Sequence, residues 1–158
     1  MKIIYKGGNI RLTVVLENIG DFIYQLKTIL DKRGKSDVYD EKKTFNFFKT
    51  ASYSDESWDR VYSNIKYLLI LVFSSLYAPM ALAFFGVAKV GLLTFMGALA
   101  PVVGYIISEI VLGSKVSKRI INGELKLMPR DKNKENKITR IYTTASTVLY
   151  ILLVIILQ

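Results

Sequence analysis

Residues 67–88 read YLLILVFSSLYAPMALAFFGVA, twenty-two positions without a charged side chain. As a helix this run is about 33 Å long, which matches a bilayer hydrocarbon core of roughly 30 Å. The flanks show how sharply charge is kept away from it. Residues 1–66 carry twelve Lys/Arg and nine Asp/Glu, whereas residues 67–112 carry only Lys89 and Glu109. A charge at the bilayer centre costs about 2.5–3.5 kcal/mol on insertion scales, so this segregation is what lipid demands.

Two further runs follow. Val90 to Ser108 adds nineteen uncharged residues, and the apolar pattern resumes after Glu109 as far as Leu112. Ile141 to Leu157 supplies seventeen, about 26 Å as a helix, which is short but within the spanning range. The expected fold class is therefore mainly α and integral to the membrane, with three transmembrane helices at about 67–88, 90–112 and 141–157. The first two form a tight hairpin with Lys89 at its tip, and the third is a C-terminal span. Pro79 is expected to kink the first span and not to end it. A competing arrangement makes Gly97, Pro101 and Gly104 the break points of a re-entrant loop, which would need protein or water around its freed backbone groups.

Orientation comes from the distribution of basic residues. The segment 113–140 holds nine Lys/Arg against Glu124, Asp131 and Glu135, while the hairpin tip holds one. The positive-inside rule then makes 113–140 a basic cytoplasmic loop, with the N-terminal region on the same side and the C-terminus outside, as a multi-pass protein of an inner or plasma membrane. The net charge of +9 is mostly that loop. Its Lys115, Lys118, Arg119 and Arg140 are candidates for contact with anionic lipid headgroups, at about 1 kcal/mol per basic residue. Nucleic acid is not expected as a partner, because aromatic stacking residues are missing between Gly113 and Arg140.

Residues 1–64 are expected to form a small α+β cytoplasmic region, ahead of a membrane domain over 65–158. The start MKIIYKGGNIRLTVVLE lacks the continuous apolar core of a signal peptide and reads as a mature N-terminus. Within it, Ile3 to Tyr5 and Ile10 to Leu16 read as two short strands about a Gly7-Gly8-Asn9 turn. The glycine pair lacks the rest of any phosphate-binding motif. Ile19, Phe22, Ile23, Leu26, Ile29 and Leu30 then mark one face of an amphipathic helix, with Asn18 as its cap and Gly34 beyond its end. That face is expected to pack on the neighbouring strands or a helix; the alternative is that it lies on lipid. Lys32 to Lys43 reads as a charged surface loop, and Ser54 followed by Asp55 and Glu56 as the start of a long helix leading into the first span.

Composition excludes much chemistry. The chain has no cysteine and no histidine, which removes disulfides, thiolate metal sites, the commonest zinc and haem ligands, and the usual general base of a nucleophilic triad. No catalytic residue, metal ligand or cofactor site is expected, and an enzyme is not. Three features carry functional candidates. Glu109 is the one acid in a span and a candidate ion path. It lies about one turn from Gly113, so it could instead reach the interface or pair with Lys115. Ala100, Gly104 and Ser108 form a small-residue stripe at i+4 spacing, a helix-contact face for an internal neighbour or a second copy. Thr143, Thr144, Ser146 and Thr147 could line a pore or bond their own backbone. The leading expectation is a small self-associating protein of pore, channel-like or membrane-perturbing type with a cytoplasmic regulatory part. The alternative is an accessory or immunity-type subunit that binds a larger membrane protein.

Overall fold

The computed structural model describes residues 2–14, 18–87, 92–120 and 125–157. The chain is mainly helical with one small two-stranded sheet, and three of its helices are long and apolar enough to cross a membrane. It divides into two compact units. The first comprises Met1–Asp59 and Gly113–Arg130, the second Arg60–Leu112 and Asp131–Gln158.

In the first unit, β1 (Lys2–Tyr5) pairs antiparallel with β2 (Gly8–Arg11), with Ile3 opposite Ile10. The hairpin forms as expected but with a two-residue link at Lys6–Gly7, so that Gly8 and Asn9 already pair within β2, which ends at Arg11 and not at Leu16. Helix α1 covers Ile19–Lys32. It ends where Gly34 takes a φ of +65° and the N–H groups of Gly34 and Lys35 return to the carbonyls of Asp31 and Leu30. This double bond pattern satisfies helix-end carbonyls that would otherwise be left free. Asn18 precedes α1 but makes no capping bond with its side chain.

Helix α2 corrects one expectation. It starts at Glu41 and continues to Phe84, passing through Ser54 and Pro79 without a break. The cap is Asp40, whose carboxylate accepts from the N–H of Lys43 at 3.0 Å, so Ser54 lies mid-helix and caps nothing. The reason is visible in Phe45 and Phe48. At helical spacing they face the core of the unit, where Phe48 and Ala51 pack with Leu12, Ile19, Ile23, Ile120 and Leu125. Burying a large side chain of this kind contributes about 1.5–3 kcal/mol, enough to hold a helix that local signals alone would begin later. Ile120 and Leu125 come from the basic segment, which is thus partly apolar core and closes on itself through an Ile120–Leu127 bridge. Of the expected α1 face, Ile19 and Ile23 are buried in this core while Phe22 and Ile29 remain half exposed.

The second unit holds the apolar helices. Helix α2 stops with the same bond pattern as α1: Gly86 has a φ of +73°, and the N–H groups of Gly86 and Val87 return to Ala83 and Leu82. The hairpin tip at Lys89 lies outside the described residues. After one turn of α3 (Leu92–Phe95) and a tight turn over Met96–Ala98, α4 runs from Leu99 to Arg119. Pro101 falls in the first turn of α4, where its missing N–H costs no hydrogen bond, and α4 is continuous through Gly104. The second candidate span accordingly lies at Met96–Val116. Helix α5 covers Lys132–Leu157, so the loop expected over 113–140 is shorter: its first residues continue α4 as far as Arg119 and its last ones, from Lys132, already belong to α5.

These helices carry their apolar residues outward. In their most apolar windows only 11%, 33% and 17% of residues are buried. Phe73, Ile106, Ile110, Leu149 and Leu152 are exposed, while most buried positions are small or polar, with Leu112 and Val154 among the larger apolar ones. That inversion suits a lipid solvent, where apolar side chains gain nothing by turning inward.

Candidate functional site

The buried polar residues of the second unit form a seam between α2, α4 and α5. They include Arg60, Asn64, Ser108, Glu109, Thr139, Thr143 and Thr147. Thr139, Thr143 and Thr147 recur at i+4 and so share one face of α5. Thr143 and Thr147 each donate to the carbonyl four residues earlier, both at 2.8 Å. The hydroxyl of Thr139 is fully buried and has no hydrogen-bond partner.

Arg60 is the centre of the seam and is 2% exposed. Its Nε and Nη2 donate to the two oxygens of Glu109, each at 2.7 Å, and its Nη1 donates to Glu135 at 3.2 Å. The bidentate geometry is the one for which a guanidinium is preorganised. Arg60 precedes the uncharged run that begins at Tyr67. Burial works against its charge, and the carboxylates of Glu109 and Glu135 offset that cost.

One turn on, Asn64 donates to Asn136 at 2.8 Å and accepts from Nε of Arg140 at 3.2 Å. The Arg140 guanidinium lies 5.4 Å from the centre of the Tyr67 ring, and the Tyr67 hydroxyl is hydrogen-bonded to Thr144. Positions 60, 64 and 67 therefore meet 135, 136, 140 and 144 in ascending order, so α2 and α5 run in the same direction. Helix α4 runs against both. Its Glu109 meets Arg60, whereas Gly97 lies against the carbonyl of Ser75, and Ser146 of α5 donates to the carbonyl of Ala100 at 2.6 Å.

The structure places the candidates of the sequence as follows. Glu109 is bound by Arg60, a residue the sequence reading did not consider, in place of the suggested Lys115. Within the chain, Ala100 and Gly104 of the small-residue stripe meet α5, and Ser108 is buried with its hydroxyl donating to the Tyr105 carbonyl of its own helix. A methyl group on Gly104 would stand 2.6 Å from the Tyr142 carbonyl oxygen and 2.7 Å from Thr143 Cα, closer than atoms tolerate. Lys115 and Lys118 are exposed. Arg119 pairs with Glu56 in the first unit, where Arg130 also pairs with Asp59. Arg140 is exposed, but its Nε is engaged by Asn64.

Sequence reasoning missed Arg60, Asn64, Glu135 and Asn136. A signal was present: Arg60, Asn64 and Tyr67 are spaced to share one helix face, and so are Glu135, Asn136, Arg140 and Thr143. Chemically, the seam holds three helices in register by mutual satisfaction of donors and acceptors. Among the described residues, no group of three or more carboxylates is placed to hold a metal ion. In comparison with known proteins, the chain matches no family, no curated protein and no solved structure.

Proposed function

We propose that this chain is a non-catalytic, membrane-anchored binding subunit of accessory or immunity type, acting by association with a larger membrane protein. The observation that carries this reading is the bidentate bond between Arg60 and Glu109. A conducting acid must offer its charge to passing ions, but both oxygens of Glu109 are taken and the residue is 7% exposed. The small-residue stripe is likewise occupied by α5, which removes the most evident surface for self-association. The basic segment 113–140 supports an orientation with that segment and the N-terminal region in the cytoplasm and the C-terminus outside.

Purification from native membranes in mild detergent, followed by native mass measurement and liposome flux, tests the proposal. A stable complex of two different chains without ion flux is expected. A homo-oligomer that conducts ions would overturn it. That outcome would support a second reading, a self-associating pore, which the partnerless buried hydroxyl of Thr139 favours because a buried polar group without a partner is a natural contact for water or an ion.

A further inference from the structure

We infer that α5 carries a binding site for one anionic phospholipid, independent of which functional reading holds. A groove of about 670 Å³ runs along this helix. At one end it is lined by Asn136, Lys137 and Arg140, and at the other by Ile141, Ala145 and Val148. Lys137, Arg140, Ile141, Ala145 and Val148 are all exposed, and their spacing places them along one side of the helix. The chemistry changes along the groove from amide and cation to hydrocarbon, interrupted by Thr144, whose hydroxyl is turned to the Arg140 carbonyl of its own helix.

The length of that change fits a lipid. Lys137 to Val148 covers about 16 Å of helix axis, about half of a hydrocarbon core of roughly 30 Å. The change falls where the apolar part of α5 begins, at Ile141, the level at which headgroups meet acyl chains. Two cations at this level match a phosphodiester, and Asn136 adds an amide. Arg140 is also held before any lipid arrives, because Asn64 accepts from its Nε and the Tyr67 ring lies beneath it. A guanidinium fixed in this way retains other N–H donors for a phosphate and loses less freedom on binding. A free phosphate would use only the polar end of the groove, and the apolar half is what commits the site to a lipid.

Native mass spectrometry of the whole protein in mild detergent tests the site, with equimolar phosphatidylglycerol and phosphatidylcholine of identical chains. Preferential retention of one phosphatidylglycerol is expected. Lys137→Gln should reduce that retention about fivefold, on the order of one basic contact at a membrane surface, while Lys49→Gln, an exposed position on α2 in the first unit, should leave it unchanged. Val148→Trp, which fills the apolar end without touching a charge, should also reduce retention. Equal retention of the two lipids would overturn the inference, as would an equal effect of Lys49→Gln, which marks diffuse surface charge. Displacement of the lipid by millimolar inorganic phosphate would overturn it too, because the site would then bind phosphate alone. Arg140→Gln is not needed for any of these outcomes, so disruption of the Asn64 contact does not confuse them.

Discussion

Arg60 and Glu109, 49 residues apart in sequence, meet through two parallel hydrogen bonds of 2.7 Å in a place almost closed to solvent. The pair joins α2 to α4, and the bond to Glu135 extends the tie to α5. Burying these charges is costly in itself, so their presence does not make the bundle more stable than an apolar equivalent. Removing one partner is a different matter, because it strands the other.

Arg60→Met should therefore lower the stability of the bundle by about 3–5 kcal/mol. Arg60→Met combined with Glu109→Leu should lose less than the sum of the two single changes. Denaturant unfolding in mixed micelles measures all three variants. Strict additivity would show that the two side chains do not depend on each other.

Gly104→Ala should separate α4 from α5, since the added carbon meets backbone and not a movable side-chain end. Overpacking of this kind typically costs about 1–3 kcal/mol. Ile106→Ala, on an exposed face of the same helix, should cost less than Gly104→Ala in the same unfolding assay. A reversed order would mean that the α4–α5 contact is loose.

The absence of cysteine makes topology directly readable. With an impermeant thiol reagent on intact cells, Val87→Cys should be labelled and Lys132→Cys should not. The opposite pattern would invert the orientation drawn from the basic segment.

In the first unit, Asp31 accepts from Tyr39 at 2.5 Å and from Lys27 at 2.9 Å. The Tyr39 bond, then the Lys27 bond, holds its carboxyl below the ordinary value of 3.8. Its folded pKa is depressed, so its contribution is present above about pH 4 and is lost as pH falls through the folded value. Amide exchange at residues 35–39 should accelerate at pH 3 relative to the rest of the unit, after correction for intrinsic rates. Asp31→Asn should show the faster exchange already at neutral pH and little further change on acidification.

The three apolar helices were legible because lipid acts on composition over a whole turn, and runs such as Tyr67 to Ala88 need no partner to be recognised. The β-hairpin and the Gly34 stop were legible for a similar reason, since turn geometry is local. The start of α2 was not, because Phe48 and Ala51 hold it against Ile120 and Leu125, and that contact joins distant parts of the chain. Glu109 was found as a lone intramembrane acid, yet its partner was missed. Arg60 stands amid Asp55, Glu56, Asp59 and Lys66, where one more charge has no distinguishing mark. Only the pairing of α2 with α5 in the same direction brings Arg60, Asn64 and Tyr67 against Glu135, Asn136 and Thr144.

That pairing also sets an order in time. Ribosomes make Arg60 first, Glu109 next and Glu135 last, so a nascent chain that has released α2 and α4 already has its bidentate pair but lacks Glu135 and Asn136. Until α5 arrives, the Asn64 face and the small stripe through Gly104 are without the helix that covers them. An unfinished copy thus differs from a finished one in its surface as well as its length. Insertion of the third helix is therefore the step that covers the Asn64 amide and the small residues of α4.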